Sequence, residues 1–400
     1  MKALLLENIH TEAEEILRRH GVEVETREGA LDEDELIEAL EHVDLLGIRS
    51  KTQVTRKVFE ARPDLMAVGA FCIGTNQIDL EAATAAATPC FNAPYSNTRS
   101  VVELAIGEII SLARHLTDKN AAMHTGVWDK SAKGAHEIRG RTLGLIGYGN
   151  IGKQLSVLAE AIGMHVYFYD VRDELPMGNA HKCSTLDELL ASAETISVHV
   201  DGRASNRNLI GRAQFERMRP RTLFLNLSRG HVVDLDALHD ALASGHIAGA
   251  GIDVYPQEPK AAGEDFVSPL QGLDNVILTP HVGGSTAEAQ ENIGQFVAAK
   301  LLDYTEHGST ELSVNFPEVT LAPVRAGLRL LHVHSNVPGV LSAVNTVFSE
   351  HAVNVDRQSL VTEGETGYLV TDCSSGVTQQ VIDEILALHA TQRLATITAG

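Results

Sequence analysis

The fold of this chain is decided by one segment, 142-TLGLIGYGNIGKQLSVLAEAIG-163. An apolar run of the kind that forms a buried strand leads into the pattern G-x-G-x-x-G, which opens an amphipathic helix. The next apolar run, 165-HVYFYD-170, ends in an acidic residue, Asp170. Strand, glycine turn, helix, strand and acidic residue in this order are typical of a βαβ unit that binds a dinucleotide.

Each glycine of the turn has a distinct predicted role. Gly147 permits the tight turn, Gly149 lets the backbone approach a pyrophosphate, and Gly152 lets the helix pack closely on the sheet. Asp170 would accept hydrogen bonds from ribose hydroxyls and repel a 2′-phosphate, which favours NAD over NADP. A tight turn without a ligand is the less favoured alternative. The predicted cofactor contacts of this region are Gly147, Gly149, Asn150, Ile151, Gly152 and Asp170.

Strand and helix patterns alternate on both sides of this segment, which predicts parallel sheets. Strand patterns such as 43-VDLLGIR-49 precede it, and others such as 222-TLFLNLS-228 follow it. Over residues 328–398 the order changes to strand, helix, two strands, helix and strand. We therefore predict an α/β protein with two doubly wound parallel-sheet domains, Rossmann or flavodoxin-like, followed by a βαββαβ ferredoxin-like domain.

The composition limits the classes of partner. The 400 residues carry a formal net charge of −21, which argues against nucleic acid and anionic membrane surfaces. No apolar run approaches the ~18 residues that a membrane span needs. Four widely spaced cysteines, without a C-x-x-C motif, favour a reducing cytoplasm. In so acidic a chain, a negatively charged substrate would need a local basic cluster.

Three later motifs, each at or just after a predicted strand, carry polar groups beside glycine or proline: 226-NLSRG-230, 253-DVYPQEP-259 and 279-TPHVGGS-285. Arg229 offers a planar fork for a carboxylate. His281 can act as an acid or base near neutral pH, and Glu258 can pair with it and raise its pKa. Taken singly, each residue is more often structural or solvated. Together, downstream of the glycine turn, they indicate hydride transfer to or from a 2-hydroxy acid.

The order GYGNIG, SRG, EP and PHVGGST resembles the D-2-hydroxyacid dehydrogenase family, in the form with a C-terminal ACT domain. The similarity runs nearly end to end and includes 71-FCIGTNQIDL-80 and 90-CFNAPYSNTRSVVE-103. It implies NAD as the cofactor and Arg229, Glu258 and His281 as the catalytic residues. His281 would accept the hydroxyl proton while hydride passes to the nicotinamide. Asp253 and Gly283 complete the predicted cofactor contacts.

The resemblance also implies a domain organisation. A discontinuous substrate-binding domain would comprise residues 1–97 and 285–309, with an NAD-binding domain at residues 98–284. A linker would span residues 310–322 and a regulatory ACT domain residues 323–400. The active site would lie in the cleft between the first two domains, and the protein would be a homo-oligomer, in the form of a tetramer.

The substrate implied by the resemblance is a phosphorylated 2-hydroxy acid. Its contacts would include 49-RSK-51, where Arg49 and Lys51 would share one side of an extended segment. The family's usual form has Arg where Lys51 stands, which predicts weaker phosphate binding because Lys lacks the bidentate fork. For Lys130, plain solvation is an equally weighted alternative. The predicted substrate contacts are Arg49, Ser50, Lys51, Gly74, Asn97 and Lys130.

The stretch 330-LLHVHSNVPGVL-341 places two histidines two residues apart on one side of a strand. We predict no metal site there, because no third ligand lies nearby. The resemblance to ACT domains instead implies that His334, Asn336 and Asn354 bind an L-serine effector between paired copies. Val337 and Leu328 replace basic residues of close relatives, and a purely structural, dimerising domain is the alternative.

Two other functions stay open at this point. One is the reduction of a different 2-oxo acid, such as 2-oxoglutarate, glyoxylate or hydroxypyruvate. The other is a non-enzymatic role as an NAD-sensing corepressor, because some proteins of this fold act in that way.

Overall fold

The computed structural model describes residues 1–259, 263–324 and 326–399. The chain forms two compact units, and the first comprises residues 1–96 and 290–400. The second unit comprises residues 97–289. Among the helices that the structure describes, none is both long and apolar enough to cross a membrane.

The N-terminal part of the first unit is a five-stranded parallel sheet in the order β2-β1-β3-β4-β5. Its strands are β1 Lys2–Leu5, β2 Glu23–Thr26, β3 Leu45–Ile48, β4 Ala67–Ala70 and β5 Cys90–Asn92. Its helices are α1 Thr11–Arg19, α2 Glu33–Ala39, α3 Arg56–Ala61 and α4 Leu80–Ala85. All residues of β3, β4 and β5 are buried, and separate apolar cores cover the two faces of the sheet. This double coverage explains why the strands read as continuous apolar runs.

The second unit is built on a seven-stranded parallel sheet in the order β12-β11-β10-β9-β6-β7-β8. Its strands are β6 Thr142–Ile146, β7 His165–Tyr169, β8 His181–Lys182, β9 Thr195–Val198, β10 Thr222–Asn226, β11 Ile247–Ile252 and β12 Val276–Leu278. Its helices are α5 Thr98–Arg114, α6 Leu116–His124, α7 Asn150–Ala161, α8 Leu186–Ser192, α9 Arg212–Arg217 and α10 Leu235–Ala243. The strand order reverses between β6 and β9, and this switch point is where open α/β sheets bind ligands.

The remainder of the first unit follows a long helix, α11 Ala287–His307. Its strands are β13 Leu328–Ser335, β14 Asn354–Glu363, β15 Thr366–Ser375 and β16 Thr391–Thr398, and its helices are α12 Val340–Glu350 and α13 Gln379–Leu386. The antiparallel sheet has the order β14-β15-β13-β16. This is the predicted βαββαβ arrangement, so the predicted fold class is confirmed in all three of its parts.

The segment predicted as a linker is tightly packed within the first unit. It contains no helix or named strand, but Phe316, Val319 and Leu321 are buried against the face of the antiparallel sheet that lies away from α12 and α13. Arg329 in β13 forms a bidentate ion pair with Asp372 at 2.6 and 2.8 Å. Its remaining nitrogen, Nη1, donates to the carbonyl oxygens of His307 and Ala322. The C-terminal sheet is therefore held to the chain that precedes it by polar as well as apolar contacts.

Candidate active site

His281 and Glu258 meet at the carboxyl end of the seven-stranded sheet. Nδ1 of His281 lies 2.9 Å from Oε2 of Glu258, and Oε1 of Glu258 accepts from the Tyr255 amide at 3.0 Å. An ionised carboxylate can only accept hydrogen bonds, so Nδ1 carries the proton. The other ring nitrogen, Nε2, is therefore the one that can exchange a proton with a substrate.

The pair shifts the titration of both groups. The hydrogen bond to Glu258 raises the pKa of His281, and it outweighs burial, which opposes the shift. Burial alone would raise the pKa of Glu258, but the hydrogen bonds from His281 and the Tyr255 amide outweigh it and lower that pKa. An ionised glutamate beside a histidine of raised pKa is the arrangement of a general acid–base catalyst.

Arg229 is placed beside this pair by the loop that follows β10. The side chain of buried Asn226 donates to the Arg229 carbonyl at 3.1 Å and accepts from the Ser228 hydroxyl at 2.9 Å. A Cβ on Gly230 would lie 1.9 Å from the carbonyl carbon of Tyr255, so only glycine allows this loop to reach the segment that carries Glu258. The positive charge of Arg229 opposes the raised pKa of His281, as expected for a cation near that imidazole.

Asp253 and Gly283, predicted as cofactor contacts, form the support of the His281 loop. Oδ1 of buried Asp253 accepts from the Thr279 hydroxyl at 2.6 Å and from the Val282 amide at 2.8 Å. Oδ2 accepts from the Gly283 amide at 2.8 Å. His281 has φ +56°, a left-handed conformation that is unfavourable for a residue with a Cβ. The hydrogen bonds on both sides of it hold this conformation.

The glycine turn has the geometry that a dinucleotide requires. Gly147 has φ +93°, and a Cβ there would lie 2.6 Å from the carbonyl oxygen of His199, which follows β9. A Cβ on Gly152 would lie 2.4 Å from the Gly147 carbonyl oxygen, whereas the space around Gly149 is open. The amides of Asn150, Ile151 and Gly152 lie in the first turn of α7, where no preceding carbonyl accepts their hydrogens. Open space at Gly149 beside these amides fits a pyrophosphate.

Asp170 lies next to this turn and accepts a hydrogen bond from its backbone. Its Oδ2 accepts from the Tyr148 amide at 2.7 Å, and Oδ1 accepts from the Arg172 amide at 2.8 Å. Each carboxylate oxygen can accept a second hydrogen bond, so the predicted contact with ribose hydroxyls is compatible with this geometry.

In the first unit, the predicted substrate residues cluster around Glu7. This buried carboxylate accepts from the amides of Arg49 at 3.2 Å, Lys51 at 3.0 Å and Thr52 at 2.8 Å. β3 ends at Ile48 and the chain bends over residues 50–51, so the predicted extended segment is wrong. The bend lets three backbone amides of residues 49–52 converge on one side chain.

Gln77 connects the loop of residues 49–52, called the basic loop from here on, to the turn that contains Gly74. Its Nε2 donates to the carbonyl oxygen of Arg49 at 2.6 Å and to that of Gly74 at 3.1 Å. Ser50 and Lys51 are exposed, and Arg49 is half-buried. Arg49, Ser50, Lys51 and Gly74 therefore form one surface of the first unit.

Asn97 and Lys130, the other two predicted substrate contacts, belong to the second unit. Asn97 precedes α5, and its Oδ1 is buried without a hydrogen-bond partner among the described residues. A Cβ on Gly284 would lie 2.3 Å from Nδ2 of Asn97, so a larger residue there would displace the Asn97 side chain. Lys130 is exposed, and its ammonium group forms no ion pair within the part of the chain that the structure describes.

The three predicted effector residues do not form one site within a single chain. His334 pairs with Gly367 at the start of β15, whereas Asn354 pairs with Ser375 at its end. These β15 positions are eight residues apart, a separation of about 27 Å along a strand. Asn336 stays with His334, because its amide donates to Glu365 and its side chain to Gly364. One complete site would need two chains.

The histidine pair of β13, His332 and His334, is buried in the C-terminal sheet. Nε2 of His332 lies within hydrogen-bond distance, 2.8 Å, of the Thr391 hydroxyl oxygen. Burial, together with the nearby His334, lowers the pKa of His332 to about 4. Nδ1 of His334 contacts the Ser335 carbonyl at 2.9 Å, whereas its Nε2 is buried without a partner among the described residues. No group of three potential metal ligands occurs in residues 1–259, 263–324 and 326–399.

Comparison with known proteins gives two family matches. Residues 106–283 match the D-isomer specific 2-hydroxyacid dehydrogenase NAD binding domain, and residues 330–393 match the AHAS small subunit-like ACT domain. The D-3-phosphoglycerate dehydrogenase of Haemophilus influenzae is 48% identical over 394 residues, which cover 98% of this chain and 96% of that protein. The enzyme of the same name from Escherichia coli strain K12 is 49% identical, over 99% of this chain and 95% of its own length.

The chain belongs to the D-isomer specific 2-hydroxyacid dehydrogenases. The crystal structure of D-lactate dehydrogenase with NAD+ from Lactobacillus jensenii agrees with this assignment, at a TM-score of 0.66 and 25% identity. That likeness covers 76% of this chain and 96% of the other. The matched NAD binding domain contains the glycine turn, Arg229, Glu258 and His281, and NAD is the cofactor of this family.

Several residues that support the site of this 2-hydroxyacid dehydrogenase were not predicted from the sequence. Glu7 and Gln77 organise the basic loop, but each is distant in sequence from the residues it holds. Glu108 in α5 is buried, and neither carboxylate oxygen has a partner among the described residues. The sequence did contain a signal for Glu108. It is an acidic residue at a buried position of the otherwise apolar helix pattern 101-VVELAIGEIISLA-113.

Proposed function

We propose that this chain catalyses the NAD-dependent oxidation of D-3-phosphoglycerate to 3-phosphohydroxypyruvate, the first step of L-serine biosynthesis. The observation that carries the proposal is the His281–Glu258 pair, with Arg229 beside it, in a D-2-hydroxyacid dehydrogenase. The near full-length identity to proteins named D-3-phosphoglycerate dehydrogenase supports the choice of substrate.

In the proposed mechanism, Nε2 of His281 takes the proton of the C2 hydroxyl. Glu258 stabilises the imidazolium that forms, and Arg229 binds the carboxylate and orients the C2–H bond. When bound, NAD supplies the acceptor for the hydride that leaves C2. The glycine turn and the amides of α7 would hold its pyrophosphate, and Asp170 its adenosine ribose.

The phosphate group is assigned to the basic loop of the first unit. Arg49 and Lys51 supply two positive charges, and Gly74 supplies a backbone amide nearby. Lys51 acts as a point charge and lacks the bidentate fork of an arginine. Ser50, Asn97 and Lys130 would complete the contacts with substrate. This assignment rests on the resemblance to the family, whose substrate-binding domain would correspond to residues 1–97 and 285–309.

The regulatory part of the proposal concerns the ACT domain at residues 323–400. L-Serine would bind between two copies, with His334 and Asn336 from one chain and Asn354 from the other. The strand register supports this division, because it separates Asn354 from the other two within a chain. Amide and imidazole groups can satisfy the carboxylate, ammonium and hydroxyl groups of an amino acid.

We also propose that the chain forms a homotetramer and acts in the cytoplasm. Exposed apolar side chains at Met123, Val127 and Trp128 give the second unit a surface suited to self-association. None of the four cysteines, all within the described residues, forms a disulfide bond, as expected in a reducing compartment.

The experiment is an NADH-formation assay with D-3-phosphoglycerate and with unphosphorylated D-glycerate. His281→Ala should lower the rate about 10²- to 10⁴-fold, yet retain NADH binding. The double variant R49Q/K51Q should lose the preference for the phosphorylated substrate. R56Q/K57Q changes an exposed basic pair at the start of α3 and serves as the matched control. Full activity of His281→Ala, or an unchanged substrate preference of R49Q/K51Q, would contradict the respective assignment.

A further inference from the structure

A polar cavity lies at the amino ends of the strands of the seven-stranded sheet, opposite the carboxyl ends that carry His281. Its walls are formed where strands begin: Arg141 precedes β6, Glu194 precedes β9, and Asn275 precedes β12. The His281–Glu258 pair and the glycine turn lie at the carboxyl ends of strands of the same sheet. The cavity has a volume of about 190 Å³. It is thus separate from the active site but belongs to the same unit.

Positive charge collects in this cavity although the chain as a whole is strongly acidic. Three arginines line it, Arg141, Arg219 and Arg221, against one lining carboxylate, Glu194. Behind the lining, Asp118 accepts from the Asn275 amide at 2.9 Å. The nearest contact between Arg141 and Glu194 is 3.6 Å. The guanidinium of Arg221 forms no hydrogen bond or ion pair within the described residues, and Nε of Arg141 is buried without a partner there. Such donors leave room for an anion.

Asn275 adds an acceptor to the same cavity. It is 3% exposed, and its Nδ2 donates to the carbonyl oxygens of Leu112 at 3.3 Å and Ala248 at 2.9 Å. These two contacts determine the orientation of the amide and leave Oδ1 buried without a partner among the described residues. An unsatisfied buried acceptor is costly, and a ligand hydroxyl would satisfy it.

Three residues that line the cavity have a left-handed backbone conformation. His115, Arg221 and Asn275 have φ values of +51°, +69° and +54°, all in the left-handed region. This conformation is uncommon for residues with a Cβ, although Asn adopts it more readily than most, and such residues tend to gather at functional sites. Three of them line this one cavity.

We propose that this cavity binds a compact organic polyanion that also carries a hydroxyl group, such as a hydroxylated polycarboxylate. Arginine side chains would bind the carboxylates, and Oδ1 of Asn275 would accept from the hydroxyl. The volume is below the roughly 300–1,000 Å³ of pockets for drug-sized ligands, which restricts the ligand to a small molecule.

The test exploits Gly134, whose added Cβ would lie 3.1 Å from Nε2 of His115 and 3.7 Å from Nη2 of Arg221. Gly134 has φ +76°, a conformation that Asp and Asn tolerate better than other residues. Gly134→Asp would place a carboxylate among the cationic groups, and Gly134→Asn is the neutral control of the same shape. Citrate binding to the full-length protein would be measured by calorimetry.

We expect citrate to bind the unmodified protein with a stoichiometric site, and G134D to weaken that binding at least about tenfold relative to G134N. Tricarballylate, which is citrate without the hydroxyl, should bind more weakly than citrate. The double variant R219Q/R221Q provides a second measurement and should also lose the site, whereas R139Q, an exposed arginine outside the cavity, should not. Unchanged citrate binding in both G134D and R219Q/R221Q, or equal binding of the two probes, would overturn the proposal. Catalytic rates of G134D and G134N without citrate should match the unmodified enzyme, which verifies folding.

Discussion

Nδ1 of His281 lies 2.9 Å from Oε2 of Glu258, and this contact leaves Nε2 as the nitrogen that is available for proton exchange. The hydrogen bond raises the pKa of His281. Oxidation of the alcohol needs the neutral imidazole, so its rate should rise as the pH passes through this raised pKa.

Glu258→Gln should therefore move the rising limb of the oxidation profile to lower pH and reduce the maximal rate. The glutamine keeps the size of the side chain but removes the charge that stabilises the imidazolium. The measurement is kcat/KM for oxidation as a function of pH. Glu216→Gln, an exposed substitution in the same unit, is the control. An unchanged midpoint would show that Glu258 does not tune His281.

Asp253 should be essential for the shape of the His281 loop. Asp253→Ala removes acceptors for two amides and one hydroxyl, and hydrogen bonds to charged groups contribute about 1.5–3 kcal/mol each. We expect a loss of several kcal/mol in the free energy of unfolding, measured with urea, together with a large fall in kcat. Asp253→Asn keeps one acceptor oxygen, so its unfolding free energy and kcat should lie between those of the wild type and of Asp253→Ala. Wild-type stability of D253A would contradict this role.

Glu108 should make the stability of the protein depend on pH. Burial, reinforced by the charge of Asp253, raises the pKa of Glu108 to about 8 from an ordinary value of 4.5. Between these values the folded protein holds a proton that the unfolded chain has lost, so this contribution to stability declines as pH rises. In a comparison of the wild type with Glu108→Gln, the difference in unfolding free energy should change by about 1.4 kcal/mol per pH unit in this window.

The control for Glu108→Gln is Glu103→Gln, on an exposed part of the same helix. Its stability should follow the wild type at every pH. Parallel stability curves for E108Q and the wild type would show that Glu108 is ionised in the folded protein.

Glu7 should control phosphate recognition without touching the substrate. Glu7→Ala removes the acceptor for three amides of the 49–52 loop and should raise KM for D-3-phosphoglycerate about tenfold or more, because Arg49 and Lys51 lose their positions. Binding of NADH should not change, since the cofactor residues belong to the other unit. Glu15→Ala, at a distant site on α1, is the control. A KM like that of the wild type would mean that the loop keeps its shape without Glu7.

The two-chain serine site can be tested by mixing variants. Chains with His334→Ala and chains with Asn354→Ala should each lose serine inhibition. A pair of one chain of each kind should regain one intact site, because the second chain supplies His334 and the first supplies Asn354. Refolded mixtures should therefore recover part of the inhibition. Mixtures of His334→Ala with Asn336→Ala should not, since both residues belong to the same half of each site; equal behaviour of the two mixtures would refute the division.

The sequence by itself determined the fold class and the candidate catalytic residues. The apolar pattern of a strand, alternating or continuous, reflects whether one or both of its faces are buried. In the G-x-G-x-x-G turn, the glycines themselves mark the positions where the backbone turns tightly or packs closely. Arg229, Glu258 and His281 could be named because each stands in a short motif beside glycine or proline. The βαββαβ order of residues 328–398 was likewise readable from local patterns.

Only the tertiary structure decided how these residues are held. The support of the His281 loop by Asp253, the convergence of three amides on Glu7, and the bend at residues 50–51 depend on contacts between residues far apart in the chain. Strand register, which local sequence does not specify, placed Asn354 about 27 Å from His334 along the sheet. The cavity at the amino edge of the second unit arises in the same way, because parallel pairing gathers the starts of five distant strands at one edge.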